Sequence, residues 1–188
     1  MPTHVALLRG INVGGRNRVS MADLRALVTS LAHTDVATYI QSGNVLFTST
    51  QTNTSAIAAA LECAIAESLS VRPKVVVLSR DELSQVITDN PYPDETNPKC
   101  LHAVFTSEQI GPDQLATIAV AAQRATDKGS RDEATVVGRT LFLHTPDGLG
   151  RSELAAQLAR AGGPLAATGS ATARNWATVT KLLAMCQA

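Results

Sequence analysis

Residues 3–20 read THVALLRGINVGGRNRVS. Thr3 to Arg9 is a short apolar run ending at Gly10, the pattern of a buried strand. A glycine-rich basic loop follows, from Gly10 to Val19. Ser20 stands three residues before Asp23, which is a capping-box spacing. The helix it opens carries Met21, Leu24, Leu27, Val28 and Leu31 on one face. Strand, glycine loop and helix form the first step of the fold.

The chain continues in the same alternation. Val36 to Gln41 and Asn44 to Thr48 flank Ser42-Gly43, which reads as a hairpin. Ile57, Leu61, Ala64, Ile65 and Leu69 recur at helical spacing, and Lys74 to Leu78 is a fourth strand. The order β-α-β-β-α-β is that of a ferredoxin-like half. Ser79 and Glu82 predict a further cap, opening a short helix that buries Leu83, Val86 and Ile87. Asn90-Pro91-Tyr92-Pro93 must end that helix, because proline removes a donor and restricts its predecessor.

The second half repeats the order. Leu101 to Thr106 is a strand, and Gly111-Pro112 opens a helix with Leu115, Ile118 and Ala122 inward. Thr135 to Val137 and Thr140 to His144 flank Gly138-Arg139 as a second hairpin. A helix is expected over Ser152 to Ala161, a strand over Leu165 to Thr168, and a last helix over Ala173 to Cys186. His4 and His102 fall at similar places in the first strand of each half. The expectation is an α+β protein of two ferredoxin-like halves with an additional C-terminal helix. The expected division is a first half over residues 1–79, a connecting helix and Pro-rich linker over 80–98, and a second half over 99–188.

Composition narrows the function. Only 3% of residues are aromatic, so Ala, Val, Leu and Ile must build the core. Formal net charge is zero, which argues against a nucleic-acid polycation and leaves nucleic-acid binding a disfavoured alternative. Cys63, Cys100 and Cys186 are widely separated, without a zinc or disulfide spacing, which points to reduced thiols in the cytoplasm. No apolar run reaches membrane-span length and no signal peptide is evident, so neither export nor membrane insertion is expected.

Four motifs carry a resemblance. They are Leu8-Arg9-Gly10-Ile11-Asn12-Val13-Gly14-Gly15-Arg16-Asn17, Tyr39-Ile40-Gln41-Ser42-Gly43-Asn44-Val45, Asn90-Pro91-Tyr92-Pro93, and Arg174-Asn175-Trp176 with Thr178, Val179 and Lys181. In this order they resemble a bacterial family catalogued as domain of unknown function 1697. The resemblance implies a duplicated α+β fold and implies no activity.

The loop Gly10–Arg18 is the strongest candidate for chemistry. Glycines let backbone N–H groups face a ligand, and a helix N-terminus favours anions. Arg9, Arg16 and Arg18 add charge suited to phosphate or carboxylate. The expected ligand contacts are Arg9, Gly10, Asn12, Gly14, Gly15, Arg16, Asn17 and Arg18, with Gln41, Ser42 and Asn44 at the hairpin tip and Arg174 and Asn175 near the last helix. The spacing of Gly10 and Gly15 matches a P-loop, but Arg16 and Asn17 stand where its lysine and hydroxyl residue belong, which argues against a nucleotide triphosphatase. Arg174, Thr178 and Lys181, at i, i+4 and i+7, predict a polar stripe on the last helix. Phe47, Phe105 and Phe142 lie in separate strands and are expected in the core rather than as an RNA-stacking platform. No catalytic motif, metal ligand set or cofactor is assigned. The compatible classes are a protein binding an anionic small molecule, with or without catalysis, a nucleic-acid-associated module, and a structural protein that pairs as a homodimer.

Overall fold

The computed structural model describes residues 1–15, 17–160 and 171–188. Its contacts divide into two compact units, Met1–Gln85 with Thr180–Ala188, and Val86–Val179. The division falls inside a helix rather than at the proline-rich linker.

In the first unit β1 (His4–Leu8), β2 (Thr34–Tyr39), β3 (Asn44–Thr48) and β4 (Val75–Ser79) form an antiparallel sheet in the order β2-β3-β1-β4. Helices α1 (Met21–Ser30) and α2 (Thr54–Leu69) cover one face. Alternation places Ala6 and Leu8 on that face, where they meet Leu24, Val28, Ile57, Leu61, Ile65, Val45 and Phe47. The short helix α3 (Arg80–Thr88) follows β4. Its start is a reciprocal capping box: Ser79 N–H donates to Glu82 Oε2 at 2.8 Å and Glu82 N–H to Ser79 Oγ at 3.1 Å.

The second unit repeats this plan. Strands β5 (Leu101–Phe105), β6 (Glu133–Val137), β7 (Thr140–His144) and β8 (Thr172–Asn175) pair in the order β6-β7-β5-β8. Helices α4 (Pro112–Asp127) and α5 (Glu153–Ala159) contribute Ile118, Ala121, Ala125, Leu154 and Leu158 to a core with Val104, Leu141 and Leu143. The last helix, α6, runs from Trp176 to Gln187. Phe47, Phe105 and Phe142 are all buried, so none offers a ring to a base.

The register shows how far the duplication extends. His4 pairs with Phe47 and Ser79, and His102 pairs with Leu143 and Asn175. Each histidine thus faces the fourth residue of its unit's third strand and the last residue of its fourth strand. That last residue caps the next helix in both cases, since Asn175 Oδ1 accepts from Thr178 N–H at 2.9 Å. The C-terminal helix therefore has a counterpart in α3, and the repeated unit is βαββαβα.

Two expectations change at the C-terminus. Arg174 and Asn175 belong to β8, with Arg174 opposite Ala103, so they precede the last helix instead of opening it. Thr178 is buried, and only Lys181 of the expected stripe is exposed. Pairing with β5 overrides the local helical spacing. The strand expected at 165–168 lies outside the described residues.

The buried and half-buried histidines predict an acid response. Burial holds His4, His33 and His102 below their ordinary 6.5, and His33 lowers His4 further while Glu82 opposes it. The unfolded chain therefore binds more protons as pH falls below 6.5, and stability falls with it. His102 Nδ1 is buried without a hydrogen-bond partner among the described residues. We expect the thermal midpoint to decline between pH 6.5 and 5, and His102→Leu to flatten part of that decline without lowering the midpoint at pH 7. An unchanged slope in the variant would remove His102 as a source.

Candidate functional site

The loop after β1 is built from left-handed residues. Gly10, Asn12, Gly14, Gly15 and Asn17 have φ of 71, 54, 56, 76 and 49°. Glycine lacks the clashing Cβ, and asparagine tolerates this region better than most residues, so the composition of the loop fits its path.

Two asparagines clasp it. Asn12 Nδ2 donates to Val19 O and to Gln41 O, each at 3.0 Å, while its Oδ1 accepts from Val19 N–H at 2.9 Å. Asn17 Nδ2 donates to Gly10 O at 3.0 Å, and its carbonyl accepts from Asn12 N–H at 3.0 Å. Both N–H donors of the Asn12 amide are thus engaged within the protein. Asn12 is a positioning residue that ties the loop to the tip of the β2–β3 hairpin.

The hairpin tip is equally committed. Asn44 is fully buried, and its Nδ2 donates to Tyr39 O and Ser42 Oγ, each at 3.0 Å. Gln41 is exposed and contributes its carbonyl to Asn12. Ile40 has φ of 48°, rare for a β-branched residue, and is 53% exposed. Val13 is 66% exposed on the opposing loop. Neither apolar residue stands out in the sequence, because one sits among glycines and the other extends a strand-like run.

The donors for an anion differ from the expected set. The N-terminus of α1 is closed by its own cap, with Ser20 Oγ accepting from Ala22 and Asp23 N–H at 3.2 and 3.4 Å. Asp23 adds negative charge in the first turn. The consecutive N–H groups of Gly14 and Gly15 are different: both residues are exposed, and neither group has a partner among the described residues. Arg9 and Arg18 are exposed on either side of them in the chain. Arg18 has no hydrogen bond or ion pair among the described residues. Arg16 lies outside those residues.

Arg174 and Asn175 have other tasks. Arg174 is 9% exposed and donates from one terminal nitrogen to Thr172 Oγ1 and Ala173 O, each at 2.8 Å. Desolvation lowers its pKa to about 10. Asn175 caps α6, as described above. Both belong to the second unit.

A second cluster, absent from the sequence reading, lies in that unit. His144 Nε2 is 2.8 Å from Glu95 Oε2, and the Tyr92 ring stacks on the imidazole at 5.0 Å between centroids. These residues line a cavity of about 320 Å³ with Pro91, Pro93, Asp94 and Glu133. The Asn-Pro-Tyr-Pro run was the available signal. Among the described residues, no group of three His, Cys, Asp or Glu is placed to hold a metal ion, and no helix is long and apolar enough to cross a membrane.

Fold and loop together define a duplicated α+β protein of two ferredoxin-like units, the first bearing a clasped glycine–arginine loop. The chain belongs to the protein family of unknown function DUF1697, whose model matches residues 1–142. Its fold is also that of a conserved bacterial protein from Streptococcus pneumoniae, 24% identical, with a TM-score of 0.74 over 98% of each chain. No curated protein matches the chain.

Proposed function

We propose that the loop over residues 10–18 binds a small anionic ligand carrying a phosphate or carboxylate group. The observation that carries this reading is the pair of N–H groups at Gly14 and Gly15, unpartnered among the described residues, in a clasped loop that also carries the exposed Arg18. Consecutive N–H groups form an anion-binding concavity, and a guanidinium adds directional charge. Asn12 contributes by holding the loop in place before the ligand arrives, which lowers the ordering cost of binding. Binding is the function proposed, and no group here is assigned to bond making or breaking. The free thiols Cys63, Cys100 and Cys186 support placing the protein in the reducing cytoplasm of a bacterium.

Thermal unfolding against inorganic phosphate, sugar phosphates, nucleotides and carboxylates tests this. A ligand at a hundredfold its dissociation constant adds about 2.7 kcal/mol, which raises the midpoint by roughly 5–10 °C in a chain of this size. Arg18→Ala is expected to weaken the same ligand by about tenfold or more, the scale of one charge-assisted hydrogen bond. A shift that survives in Arg18→Ala at full size would move the anion site away from this loop.

A further inference from the structure

The cavity in the second unit carries chemistry of the opposite sign. The stretch 91–95 forms one wall, Glu133 begins β6, and His144 ends β7. Glu133 and His144 are direct cross-strand partners, so the sheet fixes their spacing. The linker is fixed as well. Asn90 Oδ1 accepts from Tyr92 N–H at 3.0 Å, Tyr92 O accepts from Glu95 N–H at 3.2 Å, and the Tyr92 hydroxyl lies 2.9 Å from Thr135 Oγ1.

Within this frame the carboxylates are not equivalent. Glu95 is committed, with Oε2 on His144 and Oε1 accepting from Asn97 N–H at 2.7 Å. Asp94 and Glu133 are exposed, and neither carboxylate has a hydrogen bond or ion pair among the described residues. Among the described residues, no lysine or arginine lines the cavity. His144 Nδ1 is buried without a hydrogen-bond partner among the described residues. The hollow is thus lined by a stacked tyrosine–imidazole pair and by two exposed carboxylates that have no ion-pair partner among the described residues.

We propose that this cavity binds a small organic cation bearing a primary ammonium group. Asp94 and Glu133 would accept its N–H donors, and the prolines and Tyr92 would cover its aliphatic part. The volume is near the lower end for ligand pockets, which suits a short amine better than a cofactor. A carboxylate pair beside an aromatic ring favours a cation by charge and by the ring's negative face. A bare metal ion fits less well, because the tyrosine and proline walls offer it no ligands and both Glu95 oxygens are already engaged.

The test is a titration with 1,4-diaminobutane followed by NMR of the His144 and Tyr92 ring resonances in the full chain. Saturable shifts at those rings are expected, weakened about tenfold in Glu133→Gln and again in Asp94→Asn/Glu133→Gln, and unchanged in Arg18→Ala. Both carboxylate substitutions are exposed and nearly isosteric, and an unaltered thermal midpoint would confirm that they fold. Sodium chloride at equal ionic strength separates binding from screening. Non-saturable shifts, shifts reproduced by the salt, or shifts retained at full affinity in the double variant would overturn the proposal.

Discussion

Gly43→Ala is expected to lower the unfolding free energy by about 2–5 kcal/mol, measured by urea denaturation. A Cβ at this position would sit 2.8 Å from Leu8 Cβ and 3.0 and 3.1 Å from two carbons of Ile11. Leu8 and Ile11 are each 1% exposed, so neither can move aside into solvent. The strands cannot part freely either, because Leu8 N–H donates to Gly43 O at 2.8 Å. Overpacking of this kind costs about 1–3 kcal/mol, and the φ of +78° adds about 1–2 kcal/mol for any residue with a Cβ. The second hairpin supplies the comparator. Gly138 also has positive φ, at +59°, but a Cβ there would meet nothing within 4 Å. Gly138→Ala should therefore show the backbone cost alone, about 1–2 kcal/mol. Equal losses in the two variants would mean that the close approach at Gly43 is not a constraint.

Asp132→Ala is expected to destabilise the second unit by about 3 kcal/mol. Asp132 is 7% exposed, and one oxygen accepts from Ser130 Oγ at 2.6 Å, Ser152 Oγ at 2.9 Å and Leu154 N–H at 3.3 Å. It thereby joins the chain entering β6 to the first turn of α5. Truncation leaves the Ser152 hydroxyl and the Leu154 N–H without this acceptor, and each buried orphan costs about 1–3 kcal/mol. Ser152→Ala removes a partly separate contribution, the cap on Ala155 N–H at 2.8 Å, worth about 1 kcal/mol. The two substitutions share a hydrogen bond, so the double variant should lose less than the sum of the singles. Additivity in that cycle would show that Asp132 and Ser152 act independently.

The sequence reveals most of the repeated scaffold because its signals are local. Ser79 and Glu82 form the box their spacing predicts, and Gly138-Arg139 turns the second hairpin as expected. Arg174 reads as helical because it, Thr178 and Lys181 fall at i, i+4 and i+7, and Asn175 lies near the start of the same expected helix. Their pairing with Ala103 and His102 is a long-range fact that no local window contains. The candidate loop divides in the same way. Its glycines announce a special backbone, but the role of Asn12 depends on Gln41, 29 residues away in the chain. The cation cavity draws on residues 91–95, 133 and 144, and its charge balance exists only after the sheet has brought them together.

The division of the chain also bears on the order in which the protein can assemble. The second unit is one unbroken segment, Val86–Val179, whereas the first needs both Met1–Gln85 and Thr180–Ala188. During synthesis the segment begun first is therefore the last to be completed. The strands of its sheet and helices α1 and α2 lie wholly within Met1–Gln85, but the nine residues Thr180–Ala188 that complete its contacts leave the ribosome only after the whole of the second unit. Closing the first unit then joins positions far apart in the chain, an entropic cost that grows only slowly with separation and is smaller if the intervening segment is already compact. Contiguity thus favours completion of the second unit before the first, against the direction of translation.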